Sequence, residues 1–167
     1  MPENVTSPNP ARSDRSAGGS TGRIPPHSEE AERGVLGSAL IDAERVVDLC
    51  IEKRLTPESF YAPAHRVLFE VLLEMTNDHR PIDLLTVGEK LRAVNQLDAI
   101  GGESYLEQLI DSTPTSAHAE YYIDIVRQKH LLRCIIGCAH EAERLQRLRS
   151  RRLPGPRRRR VDSNQPS

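Results

Sequence analysis

Residues 101–133 read GGESYLEQLIDSTPTSAHAEYYIDIVRQKHLLR, and this stretch decides the fold. Gly101-Gly102 is a chain break. Tyr105, Leu106, Leu109 and Ile110 follow at helical spacing and predict a short amphipathic helix. Pro114 interrupts, and Ser116 leads into the longest predicted helix, from about residue 117 to about 148. Along it Tyr121, Ile125, Gln128, Leu132, Ile135, Ala139 and Ala142 recur at alternating spacings of 4 and 3, and Gln128 alone is polar. Such a line belongs to a helix packed either on its own small core or against a partner helix. Tyr121, Ile125, Leu132, Ile135, Ala139 and Ala142 are therefore the candidate oligomer or partner interface.

Upstream, the pattern stays helical. Ser28 is a predicted N-cap, with Glu29 and Glu30 in the first turn where they favour the helix dipole. Val35, Leu36, Ala39 and Leu40 give the buried stripe. Asp42 is placed to cap a second helix carrying Val46, Val47, Cys50 and Ile51. Thr56-Pro57-Glu58 reads as a cap with Pro at the first helical position. Pro63 opens a helix with Val67, Leu68, Val71, Leu72 and Met75 on its apolar side. Thr86 to Glu89 reads as a capping box, with Leu91 and Val94 on the buried side after it. No period-2 stretch competes, so the expectation is an all-α protein: a compact helical head over about 24–113, then one long helix. Residues 1–23 are polar and poor in groups to bury, and 149–167 are rich in Arg and Pro. Both are expected to be disordered tails.

Charge is distributed unevenly. Of 23 Lys and Arg, nine lie within 144–160, leaving 14 before them. Of 24 Asp and Glu, only Asp162 follows that stretch, leaving 23. An acidic body with a basic tail points to separate partners rather than one basic face. Arg151, Arg152, Arg157, Arg158, Arg159 and Arg160 are the candidate nucleic-acid contacts; without aromatics between them they would bind phosphates, not stack on bases. The other reading is a solvated tail without a role. No secretory signal or membrane-length apolar run is visible, and three Cys fit reduced thiols, so a cytoplasmic location is expected.

Candidate chemistry is sparse. No Gly-Lys dipeptide occurs, hence no phosphate-cradling loop, and no nucleophile–base set is recognisable. Carboxylates are spread over helix faces and caps, and no catalytic residue is expected. His130, Cys134 and Cys138 lie four apart on one helical face with His140 nearby, the residue types of a soft-metal site. Zinc sites usually draw ligands from two segments and Cys is often a small core residue, so no metal site is assigned. His65, inside an apolar helix, reads as structural.

Five blocks in order resemble the N-terminal domain of DnaB-type replicative DNA helicases. They are Arg23 to Glu32 with Val35 to Ser38; Phe60-Tyr61 with His65 and Phe69; Pro81 to Asp83 with Thr86-Val87 and Leu91; Gly101-Gly102 with Tyr105-Leu106 and Leu109; and Pro114 to Ala117 with Tyr121-Tyr122, Ile125-Val126 and Arg133. The chain departs at Arg33, where Gln is usual, and at His118, where Asn is usual. The resemblance covers about 24–144.

The resemblance implies a helical head followed by the first arm of a helical hairpin. It implies self-association, as a dimer and in the family a hexameric collar. It also implies a role in DNA replication and primosome assembly, including primase recruitment. ATP and Mg2+ would belong to a motor domain, not to these residues, so no enzyme activity or cofactor is expected of this chain alone. In the family the second hairpin arm is an acidic helix; here Arg-rich, Pro-broken sequence follows. That change near residue 145 is what a truncated or frame-shifted product would show, and it puts hairpin pairing and primase docking in doubt. The alternative function is non-specific nucleic-acid binding through the Arg-rich tail.

Overall fold

A computed structural model describes residues 24–152 of the 167-residue chain. Among them are seven α-helices and no strand: α1 Glu29–Ile41, α2 Ala43–Glu52, α3 Pro63–Asn77, α4 Leu84–Ala93, α5 Leu97–Ile100, α6 Glu103–Asp111 and α7 Ala119–Arg152. Short 3-10 turns at Pro57–Ser59 and Ser116–His118 precede α3 and α7. The all-α expectation holds, with a head of six helices and one long helix. Residues 1–23 and 153–167, read from sequence as tails, lie outside the described residues, whereas 149–152 continue α7 beyond the predicted end at 148.

Local signals account for most boundaries. The Ser28 hydroxyl accepts the Ala31 N–H at 3.3 Å and starts α1. Thr56 and Ser59 exchange a capping box around Pro57, and Pro63 opens α3. The cap of α4 sits three residues earlier than expected. Asp83, in extended conformation, accepts the Thr86 N–H at 2.8 Å, and Thr86 Oγ1 accepts the Asp83 N–H at 3.0 Å. Thr86 is thus the inner partner of the box rather than the cap, because a carboxylate acceptor was available one turn upstream. Asp42 precedes α2 but makes no side-chain cap, its carboxylate being taken by Arg45 and Ser116. The four-residue α5 has no counterpart in the sequence expectation. It ends at Gly101-Gly102, whose φ values of 104° and 79° turn the chain into α6.

The core is aliphatic with two phenylalanines, Phe60 and Phe69, their rings 4.8 Å apart. The predicted stripe of α1 is buried, and so is that of α3 except Val67, which is half-buried. Val94 and Ile51, expected on buried sides, are exposed; Ile51 lies in the last turn of α2 and Val94 is the residue just past α4. Cys50 is buried, and burial pushes its thiol up to about 12. Close packing of α1 depends on two small residues. A Cβ on Gly34 would lie 2.6 Å from the Tyr122 ring, and one on Gly37 would lie 2.1 Å from Thr113 Oγ1 and 2.5 Å from the Leu109 carbonyl.

One charged group lies at the centre of the head. Glu32 is 2% exposed, and its carboxylate accepts the Tyr61 N–H at 2.7 Å and the Ala62 N–H at 3.2 Å. Its Oε2 also lies 2.7 Å from His65 Nδ1, and His65 Nε2 meets the Tyr105 hydroxyl at 2.6 Å. Burial pushes the Glu32 carboxyl up, but His65 and the two N–H donors outweigh it and hold it below the ordinary 4.5. The carboxylate's contribution is therefore complete above pH 4.5 and fades as pH falls through the depressed folded value. Glu32→Ala should cost about 3–5 kcal/mol by urea unfolding, since it strands His65 and two backbone donors. It should also flatten the acid limb of stability against pH. A variant as stable as the parent, with the same acid limb, contradicts this account.

Candidate interaction surface on the long helix

Helix α7 is held to the head over its first four turns. Ala119, Ile123 and Val126 are buried, and Tyr122, Ile125, Lys129, His130 and Arg133 are half-buried. This stripe packs chiefly on α1 and also touches α2 and the Pro57–Ser59 turn. Polar contacts fix the same segment at both ends. Near its start, Lys53 reaches Glu120 at 2.9 Å and Asp124 at 2.7 Å, the Asp124 and Glu120 carboxylates holding the ammonium pKa above its ordinary value. Arg45 donates to the Ser116 carbonyl at 2.7 Å.

At the far end, Arg133 donates to the Pro26 carbonyl at 2.9 Å and the Ser59 carbonyl at 2.6 Å. Its guanidinium lies 5.9 Å from the Tyr61 ring centroid, and that ring stacks on His27 at 4.2 Å. Burial lowers the Arg133 pKa, the largest influence on it, without removing the charge. Arg133 was visible in sequence only as one member of a block. Its role needed the fold, because Pro26 and Ser59 are 107 and 74 residues away along the chain.

From residue 134 to 150 every side chain is exposed. The helix leaves the head after Arg133 and projects for about 28 Å, at 1.5 Å per residue over 134–152. The candidate seam from sequence falls mostly on this open side. Tyr121 is 66% exposed, Leu132 40% and Ile135 58%; Ala139 and Ala142 are exposed and Ile125 is half-buried. Apart from Ile125, which belongs to both, the residues that grip the head are offset from that line. Leu131, Ile136, Leu145 and Leu148 add further exposed apolar surface.

Basic residues occupy the end of α7. Arg144 and Arg147 stand 3.6 Å from Glu141 and 3.8 Å from Glu143, exposed pairs of little energetic weight. The six candidate nucleic-acid contacts divide at the end of this helix. Arg151 and Arg152 are its last two residues, so the basic stretch starts on helix rather than wholly in a tail. Arg157, Arg158, Arg159 and Arg160 lie outside the described residues. Cys134 and Cys138 are exposed rather than core residues, because the helix has left the head by that point. A shallow crevice between α1 and α7 mixes Glu29, Glu30 and Arg33 with Ser112, Thr113 and Tyr122. No described helix is long and apolar enough to cross a membrane.

The described residues form a small helical head carrying a long, half-docked helix with apolar residues in the open. The chain belongs to the DnaB-like helicase N-terminal domain family, whose model matches residues 24–128. It is 44% identical over 117 residues to the replicative DNA helicase DnaB of Geobacillus stearothermophilus, covering 70% of this chain and 25% of that protein. It is 38% identical over 118 residues to the DnaB of Treponema pallidum, covering 71% and 26%. The chain thus spans about a quarter of the length of the curated relatives it matches. Its fold matches the crystal structure of the N-terminal domain of DnaB helicase from Mycobacterium tuberculosis with a TM-score of 0.68 and 36% identity, over 72% of this chain and 86% of that one. It also matches the N-terminal domain of DnaB helicase from Helicobacter pylori, described together with its interactions with primase, with a TM-score of 0.60 and 22% identity over 71% and 90%.

Arg133→Ala should loosen the docked half of α7. The expected loss is about 2 kcal/mol in urea unfolding, the scale of hydrogen bonds from a charged donor, with faster amide exchange at residues 126–133. Unchanged exchange there would show that the apolar stripe alone holds the helix.

Proposed function

We propose that this chain is an interaction and oligomerisation domain of the replicative helicase system, acting in DNA replication and primosome assembly. What carries the reading is the exposed apolar line on a helix leaving a head of this family. Along that line Tyr121, Leu132, Ile135, Ala139 and Ala142 are exposed to water in the single chain, Ile125 is half-buried and Gln128 is polar. Each Leu or Ile covered by a second helix contributes roughly 1.5–3 kcal/mol. A second copy is the first partner, giving a concentration-dependent dimer. The Arg cluster from 144 onward repels like copies at low salt and opposes a closed hexamer. Primase is the second partner, supported by the H. pylori neighbour's described interactions. The location is the cytoplasm, where replication proceeds. ATP turnover is assigned to other parts of such helicases, since no phosphate-cradling loop occurs in these residues.

Light scattering after size exclusion over a concentration series tests self-association. The parent should move from monomer towards dimer as concentration rises. Ile135→Asp should remain monomeric with an unchanged helical circular dichroism signal. A parent that stays monomeric throughout, or an Ile135→Asp dimer as tight as the parent's, refutes the interface.

A second reading, DNA binding through the basic end, is favoured by the arginines clustered on the last turns of α7 and in the sequence beyond, where Arg157, Arg158, Arg159 and Arg160 are consecutive. Such binding is sequence-independent, and log K should fall with log salt by roughly 0.9 for each phosphate engaged. Fluorescence anisotropy with and without residues 144–167 decides it, equal affinity for both chains removing the tail from the account.

A further inference from the structure

The open apolar line on α7 is asymmetric along its length. Its first members, Tyr121 and Ile125, are bulky, Leu132 and Ile135 stand in the middle, and the last, Ala139 and Ala142, are small. Charge runs in the same direction. At the start of the helix Glu120 and Asp124 share Lys53 yet remain 64% and 53% exposed. Glu44, Asp48 and Glu52 are exposed on α2, which touches α7, with Arg45 and Arg54 as the other cations there. Near the far end Arg144, Arg147 and Arg149 are exposed. The stripe that grips the head, Ala119, Ile123 and Val126, lies on the other side of the helix, so a second helix can lie along the line without displacing the head.

We propose that the line is covered by the same line of a second copy lying antiparallel, with Leu132 on Ile135 at the centre and Ile125 on Ala142 towards each end. This pairing rests on the self-association reading above and deepens it by fixing the direction of the partner. In a parallel pair every residue meets itself. Tyr121 then meets Tyr121 at one end while Ala139 and Ala142 face their own copies at the other, so helices held apart by the tyrosines leave space between the alanines. The antiparallel pair sets large residues against small ones at both ends and keeps the helix spacing even. With Leu132 on Ile135, the alternating spacing brings Gln128 to Ala139, where its amide extends past a small side chain to water. Charge favours the same direction. A parallel pair lays the two Arg-rich ends side by side, within the Debye length of about 10 Å at 0.1 M salt. In the antiparallel pair Leu148 of one copy lies beside Ala119 of the other, so those ends stand about 40 Å apart at 1.5 Å per residue. Each comes instead to the Glu120 and Asp124 carboxylates of the second copy.

The test uses full-length chains carrying Cys134→Ser and Cys138→Ser, which leaves the buried Cys50 as the one native thiol. Gln128→Cys and Ala139→Cys are made separately in that background, and disulfide formation with oxidised glutathione is followed on non-reducing gels. Mixed in equal amounts, the two chains should cross-link to each other at least about tenfold faster than either does alone, since paired sulfurs meet at roughly millimolar effective concentration. Like positions stand about 16 Å apart along the axis. Tyr121→Cys with Gln146→Cys, the outermost pair, gives a second reading where a substitution at 128 or 139 disturbs the dimer. Light scattering on the reduced mixtures and helical circular dichroism confirm that dimers of folded chains are present. A dimer in which Ala139→Cys cross-links fastest to itself is parallel and overturns this pairing while leaving self-association intact. A dimer in which neither designed pair cross-links overturns it equally. A parent that stays monomeric at every concentration refutes the self-association reading, and this pairing with it.

Discussion

The head is organised around a carboxylate that water cannot reach. An isolated ionised carboxylate inside an apolar core is strongly disfavoured, so Glu32 is tolerable only with its partners in place. It lies on the apolar side of α1 beside Val35 and Leu36, which places it in the interior once α1 packs. There it meets the N–H groups of Tyr61 and of Ala62, the N-cap of α3, just ahead of that helix. His65 then extends the network to Tyr105 on α6. Three helices distant in sequence are thereby fixed to one point. A misregistered α1 would leave a buried charge and two orphaned donors, which gives the arrangement directional specificity that aliphatic packing lacks.

The second organising fact is that α7 has two different halves. Up to Arg133 it is part of the head, gripped by apolar burial and by Lys53, Arg45 and Arg133. After Arg133 it has no support from the head, although Ile135, Ile136, Leu145 and Leu148 still carry apolar surface. Gly34 lets α7 approach α1 closely enough for its first half to dock, with the Tyr122 ring lying over it, and Gly37 gives the same room to Leu109 and Thr113 at the end of α6. Docking sets where the open half begins, so its exposed apolar residues are presented at a fixed place relative to the head instead of on a free helix. That is the arrangement expected of a domain whose family belongs to multi-part replicative helicases.

Much of this was legible in the residues. The 3-and-4 spacing, the Ser28 cap, Pro63 at a helix start and the Gly101-Gly102 break follow from short-range rules, so sequence determined the helices and their order. It also located the apolar line on the last helix. Where local signals competed, sequence decided less well: Asp83 capped α4 in place of Thr86, and the short α5 carries too few residues for a periodic signature. Tertiary structure alone decided which stripe of α7 meets the head, because Ile123 and Tyr121 are both apolar and only the shape of α1 separates them. It alone joined Glu32 to His65 and Arg133 to Pro26, pairings made across 33 and 107 residues. Periodicity records that a side chain faces something apolar or polar, whereas the identity of its partner is set by how whole helices pack.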